Sequence, residues 1–231
     1  LSMLRYWFEK RDEDLSHLFE GLSIWQAGDD YRAHFQRYPV IHFNFKGSKG
    51  ATLADCLATI REKIVDLYSE HRAVLDGGRL GEVETRRYQQ ILDGTAPQAL
   101  FDRALLDLST CLHAHHGEKV CILIDEYDEP IHTGHVHGYA AEILDFMRTF
   151  LGAGLESNVH LYKAVVTGIL RVAKENLFSG LNNLDVYATT FRGWMEQRLR
   201  ASGGNLAALT TALLGGDAET FEEELQGFVT H

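Results

Sequence analysis

The sequence is short of cysteine, short of cations and without a long apolar run, and each shortage closes off a class of protein. Its 231 residues contain three cysteines, Cys56, Cys111 and Cys121, with no CxxC spacing. An odd count without that spacing excludes a disulfide framework and points to a reducing compartment, here the cytoplasm. Lys and Arg number 22 against 33 Asp and Glu, a formal net charge of −11. Duplex affinity rests on Lys and Arg meeting phosphates, so direct nucleic-acid binding is not expected. No stretch approaches the ~18 apolar residues of a transmembrane helix. The opening LSMLRYWFEKRDED carries charge too early for the apolar segment of a signal peptide. No membrane partner is expected. No glycine is followed by lysine, and no Glu or Asp stands two residues before a lysine.

What is there is ordinary globular composition, 45% hydrophobic and 24% charged, enough chain for one to two domains with a real core. Leu1 to Lys10 reads as a helix already under way, with Met3, Leu4, Trp7 and Phe8 at helical spacing and no capping residue ahead of them. Tyr38 to Phe45 reads as a strand with Pro39 at its start, and Lys46 to Gly50 as an ordinary turn. Thr52 to Leu75 is predicted as one long helix, with Leu53, Leu57, Ile60, Ile64 and Leu67 inward. Glu82 to Leu92 and Gln98 to His116 follow as helices. Val120 to Ile124 is an unbroken apolar run, the pattern of a strand buried on both faces. Tyr139 to Leu151 is helical, and His160 to Thr167 is a second strongly apolar strand, also expected to be buried. Strands separated by helices imply an α/β fold with a mostly parallel sheet. Arg192 to Arg200, Leu206 to Leu214 and Glu219 to Val229 read as a helical tail.

The chemistry concentrates where the apolar strand ends, in Ile124-Asp125-Glu126-Tyr127-Asp128-Glu129-Pro130. In open parallel sheets ligands bind at the carboxyl ends of strands. Successive residues point to opposite sides, so Asp125 can help hold Mg²⁺ while Glu126 faces a water attacking a γ-phosphate, the combination phosphoryl transfer needs. With no cation nearby in the sequence, the two acids should repel, and one should hold its proton more tightly than usual. The bland alternative is a pair of solvated loop acids.

YPVIHFNFKGSKG, KVCILIDEYDEPI and YKAVVTGILRVAKENLFSGLNNL occur in that order. Together they resemble the bacterial AAA-ATPase-like family, a P-loop ATPase usually fused to a PD-(D/E)XK nuclease-like domain. The resemblance covers most of Leu1 to Asp185. It implies a P-loop NTPase-like mostly parallel sheet flanked by helices, binding ATP and Mg²⁺. Asp125 matches the Walker B acid that holds the metal and Glu126 the catalytic acid. Thr167, Gly168 and Arg171 match the end of the strand carrying the sensor position, Thr167 as a nucleotide-binding residue and Arg171 as a catalytic one. Phe178 to Asn183, FSGLNN, matches a family signature without an assigned chemical role.

Three departures accompany the match. A phosphate loop needs G-x-x-x-x-G-K-[ST], which the chain lacks; LSMLRYWFEK resembles the helix directly after that loop, so the chain is expected to begin just past it. A helical stretch of the family is missing near Phe191, giving an expected α/β core over 1–190 and a helical segment over 191–231. The nuclease acids and lysine are absent. The resemblance thus implies an incomplete ATPase core, inactive as the chain stands, with nucleotide as its partner and a protein partner or self-association as a further expectation. The competing reading is a nucleotide-independent protein-interaction module. Among the 12 histidines, His113, His115 and His116 precede the Asp125 strand and His132, His135 and His137 follow it. A strand of that length sets the two groups roughly 15–20 Å apart, too far for one zinc ion, and they read as solvated. Trp7, Trp25 and Trp194 read as packing residues, and Arg86 and Arg87 as an exposed helix pair.

Overall fold

The computed structural model describes residues 1–156 and 158–168. Twelve regular elements follow one another there: α1 (Ser2–Phe8), α2 (Ser23–Gln26), α3 (Asp29–Arg32), β1 (Val40–Asn44), α4 (Leu53–Glu70), α5 (Glu82–Leu92), α6 (Gln98–Asp102), α7 (Ala104–His116), β2 (Val120–Asp125), α8 (Glu129–His137), α9 (Ala140–Leu155) and β3 (Leu161–Val166), with 3₁₀ turns at Ser16–Leu18 and Arg72–Leu75. The strands form one parallel sheet in the order β1-β2-β3. The chain is therefore α/β, as its alternation of strands and helices implies. Arg171, the FSGLNN segment, Trp194, the boundary at residue 190 and the expected helical tail lie outside the described residues.

Side-chain alternation divides the sheet between two apolar clusters. Ile41 and Phe43 of β1, Phe45 just after it, and Val120, Ile122 and Ile124 of β2 join a large core with Ile60 and Ile64 of α4, Leu105 and Leu108 of α7, and Met147 and Phe150 of α9. Val40, Cys121 and Leu123 form a smaller one, packed against Leu1, Leu4 and Phe8 of the first helical segment. Every residue from Val120 to Ile124 is at most 2% exposed, which is why the sequence there tolerates no polar side chain. Trp7 packs edge-on against Phe19, Trp25 and Phe35 at 5.1 to 6.2 Å, a packing role as expected.

Five sequence expectations need correction. The predicted helix from Gln98 to His116 is two helices, broken at Arg103, whose backbone (φ −113°, ψ 12°) leaves the helical region. The helix from Thr52 ends as α-helix at Glu70, and the remainder is a 3₁₀ turn. α9 runs on to Leu155, and α8 fills what reads as loop, with Pro130 in the first turn where its missing N–H costs nothing. β3 is not buried throughout: Tyr162 and Lys163 are exposed. The register slips between Val120 and Cys121, which face Leu161 and Lys163, so Tyr162 is the extra residue of a bulge. Its ring stacks on Tyr38 at 4.4 Å instead of entering a core. Its expected place beside β2 in the parallel sheet is borne out.

Candidate active site

Asp125 is the last residue of β2 and lies opposite Asn44, the last residue of β1. Its backbone carbonyl accepts the Phe45 N–H at 3.0 Å, so the loop leaving β1 starts beside it. Asp125 Oδ1 accepts from Thr167 Oγ1 at 2.5 Å and from the Glu126 N–H at 3.1 Å. The segment after β3 is laced to the same place, with Thr167 N–H on the Ile124 carbonyl at 2.8 Å and Tyr127 N–H on the Thr167 carbonyl at 3.2 Å. Asp125 and Thr167 are thus brought together at the ends of neighbouring strands.

Glu126 has φ +52°, in the left-handed region that non-glycine residues seldom adopt. It therefore leaves the pleat sharply, and the separation of the two acids comes from a turned backbone rather than from strand alternation. The N–H of Glu129, the first residue of α8, donates to the Glu126 backbone carbonyl at 3.1 Å. Burial first, and then the neighbouring Glu129 carboxyl, push the Glu126 carboxyl above its ordinary value. One acid holding its proton more tightly matches the sequence expectation, but its main charged partner is Glu129, not Asp125.

The expected lack of a nearby cation is overturned. Lys49 Nζ lies 2.8 Å from Glu129 Oε1, and the Gly47 N–H donates to Glu129 Oε2 at 2.9 Å. Lys46 acts on Glu126 from the same loop. Burial pushes the Glu129 carboxyl up, but Lys49, the Gly47 amide and the Glu126 carboxyl outweigh it, and the net shift is downward. The turn over Lys46 to Gly50 is therefore also the basic wall of the acid cluster. Lys49, Gly47 and Glu129 escaped the sequence reading because only the parallel pairing of β1 with β2 carries the two loops to one end. The signal was available: in a parallel sheet the loops after adjacent strands converge.

The Lys10 N–H bonds the Tyr38 carbonyl and the Tyr38 N–H bonds the Phe8 carbonyl, each at 2.8 Å, pinning the C-terminal end of α1 where β1 begins. Leu1, Leu4 and Phe8 of this segment pack against the smaller apolar cluster of Val40, Cys121 and Leu123. His42 on β1 lies near the same segment: burial lowers its pKa, Arg5 lowers it further, and Asp125 opposes them.

The histidines do not assemble a metal site; among the described residues no group of three or more His, Cys, Asp and Glu is arranged to hold an ion. His113 instead pairs with His160, Nδ1 to Nδ1 at 2.8 Å. No helix among the described residues is long and apolar enough to cross a membrane.

Comparison with known proteins places these features. The model of the family described as "AAA-ATPase_like: Predicted AAA-ATPase" matches residues 1–178. A curated relative from Azotobacter chroococcum mcd 1, "Uncharacterized protein in vnfD 5'region", is 31% identical over 169 residues, which is 73% of this chain and 28% of that protein. The chain thus spans under a third of the length of that relative. No solved structure matches.

Proposed function

Since the chain belongs to the AAA-ATPase-like family, we propose that it carries the hydrolytic half of an Mg²⁺-dependent ATPase site, with Glu126 as general base and Asp125 as the metal-holding acid. The observation that carries this reading is the placement of both acids at the carboxyl end of the central strand, with the Thr167 hydroxyl donated to Asp125. Asp125 and Thr167 offer hard oxygen donors. Mg²⁺ takes few protein ligands, keeping waters and substrate phosphates, so this small donor set fits it. When bound, the ion would neutralise phosphate charge. Glu126 would take the proton of a water attacking the γ-phosphate, and its raised proton affinity suits a base. Arg171 is proposed as a sensor for the γ-phosphate by its position in the family pattern.

The triphosphate cradle is not among these residues, because no glycine precedes a lysine. Coupling to a nuclease domain belongs to this reading for a longer polypeptide. The test compares Asp125→Asn with Glu126→Gln in the longest natural polypeptide that contains these residues. Loss of Mg²⁺-dependent ATP binding in the first, and binding without turnover in the second, is the expected outcome. Equal ATP binding by both variants, with turnover intact, would remove the reading and favour an interaction module.

A further inference from the structure

The loop from Lys46 to Gly50 is tied down from several sides. The Lys46 N–H bonds Asn44 Oδ1 at 2.7 Å, the Ser48 N–H bonds the Phe45 carbonyl at 2.8 Å, and Tyr139 Oη donates to the Gly50 carbonyl at 2.8 Å. At Gly50 a Cβ would stand 2.5 Å from the Cys56 backbone nitrogen, so the loop sits directly on the first turn of α4. Two donors of this fixed loop close on the two oxygens of one carboxylate. The Gly47 N–H meets Glu129 Oε2 at 2.9 Å, and Lys49 Nζ meets Glu129 Oε1 at 2.8 Å. A backbone N–H beside a lysine on a glycine-bearing loop is a donor set suited to phosphoryl oxygens. The Glu129 carboxylate gives that set what a phosphoryl group would, two anionic oxygens on one centre. The loop stands beside the end of β2, because the Phe45 N–H bonds the Asp125 carbonyl at 3.0 Å, and ligands of parallel sheets bind at this end. The Lys49 side chain is 66% exposed, so a ligand reaches it from solvent.

We propose that the Gly47 N–H and Lys49 form an oxyanion fork for a phosphoryl group of Mg²⁺-bound ATP, and that Glu129 fills the fork as an internal competitor until nucleotide displaces it. This rests on the ATPase reading above. The fork is one contact and does not replace the absent phosphate loop. A pair between an exposed lysine and a carboxylate is a weak bond, so a phosphoryl group, with more charge on the same two-oxygen geometry, takes its place. Asp125, Glu126 and Asp128 share the stretch that carries Glu129. Their charge disfavours a bare anion, which makes the cation a condition of the exchange. A site that is open only part of the time binds with its affinity reduced by that fraction. Glu129 thereby sets the nucleotide concentration at which the site fills.

The experiment measures the Kd of a non-hydrolysable ATP analogue with Mg²⁺ by titration calorimetry, in the longest natural polypeptide that contains these residues. Wild type, Lys49→Ala, Glu129→Gln and the Lys49→Ala/Glu129→Gln double variant are compared, with turnover of Glu126→Gln as reference. Lys49→Ala should weaken binding by about 10-fold, the loss of one charge-assisted contact. Glu129→Gln should tighten it by roughly 3- to 10-fold, because the competitor is gone. Removing an acid near the site also tightens binding through general charge, but that gain does not depend on Lys49. In the Lys49→Ala background the gain from Glu129→Gln should therefore shrink to under about twofold. Unchanged binding in Lys49→Ala, or unchanged or weaker binding in Glu129→Gln, overturns the proposal. A gain that keeps its full size without Lys49 also overturns it, by making Glu129 a repelling charge and no more. Either result, with turnover lost in Glu126→Gln, leaves the ATPase reading standing. Turnover that survives Glu126→Gln, or no nucleotide binding by wild type and Glu129→Gln alike, removes the reading, and the proposal falls with it. A gain of affinity cannot come from lost fold, so Glu129→Gln decides even where a circular-dichroism melt shows Lys49→Ala to be unstable.

Discussion

Glu126 carries a backbone conformation that its side chain disfavours, and such strain survives where the surroundings and the chemistry require it. Glu126→Gly should therefore raise the thermal midpoint, by roughly 1–3 °C, while removing the base; a lower midpoint would show that the turn is unstrained. Gly50 makes the opposite case. Gly50→Ala drives a methyl into the backbone of α4 and should cost ~1–3 kcal/mol in urea unfolding, with stability equal to wild type counting against the fixed loop. Asp125 and Glu126 were legible in the sequence because an unbroken apolar run that ends in two acids is a strong local signal. Lys49 and Glu129 were not. Their contact joins residues eighty apart in sequence, and no local pattern encodes a pair that exists only after β1 and β2 align.

At the level of elements, the strands and the long helices were readable because burial imposes period and composition on them. The break at Arg103 was missed because both halves of that stretch stay apolar and only the backbone departs from the helix. α9 is held through Phe150, fully buried with its ring 5.6 Å from Phe43 and 6.2 Å from Phe45. Phe150→Ala should cost ~3–5 kcal/mol of stability by calorimetry or urea melts. α7 ends in His113, His115 and His116, where the helix dipole would favour positive charge. Burial wins: it lowers His116 from 6.5 to about 4, helped by His115, Lys10, His71 and Arg79. His71 and His160 are lowered as well, chiefly by burial. A histidine with a lowered folded pKa binds its proton more readily when unfolded, so stability rises with pH. The urea midpoint should climb from pH 4 to about 6.5 and then level off. His116→Asn should flatten that slope, and a slope unchanged by the substitution would show that other groups carry it.

In the whole molecule, one end of the parallel sheet collects everything the chemistry would need from these residues. The carboxyl ends of β1, β2 and β3 bring the basic loop, the two acids and Thr167 together. The matching of residues 1–178 to the AAA-ATPase-like family accords with that polarity. The 231 residues alone, lacking a Gly-Lys phosphate loop, should hydrolyse ATP only at background rates. The most direct test is the steady-state rate of Mg²⁺-dependent phosphate release from ATP by the longest natural polypeptide, wild type against Glu126→Gln. The account predicts turnover in the wild type and a fall of about 100-fold or more in the variant, with ATP still bound. Equal rates in the two proteins would contradict it.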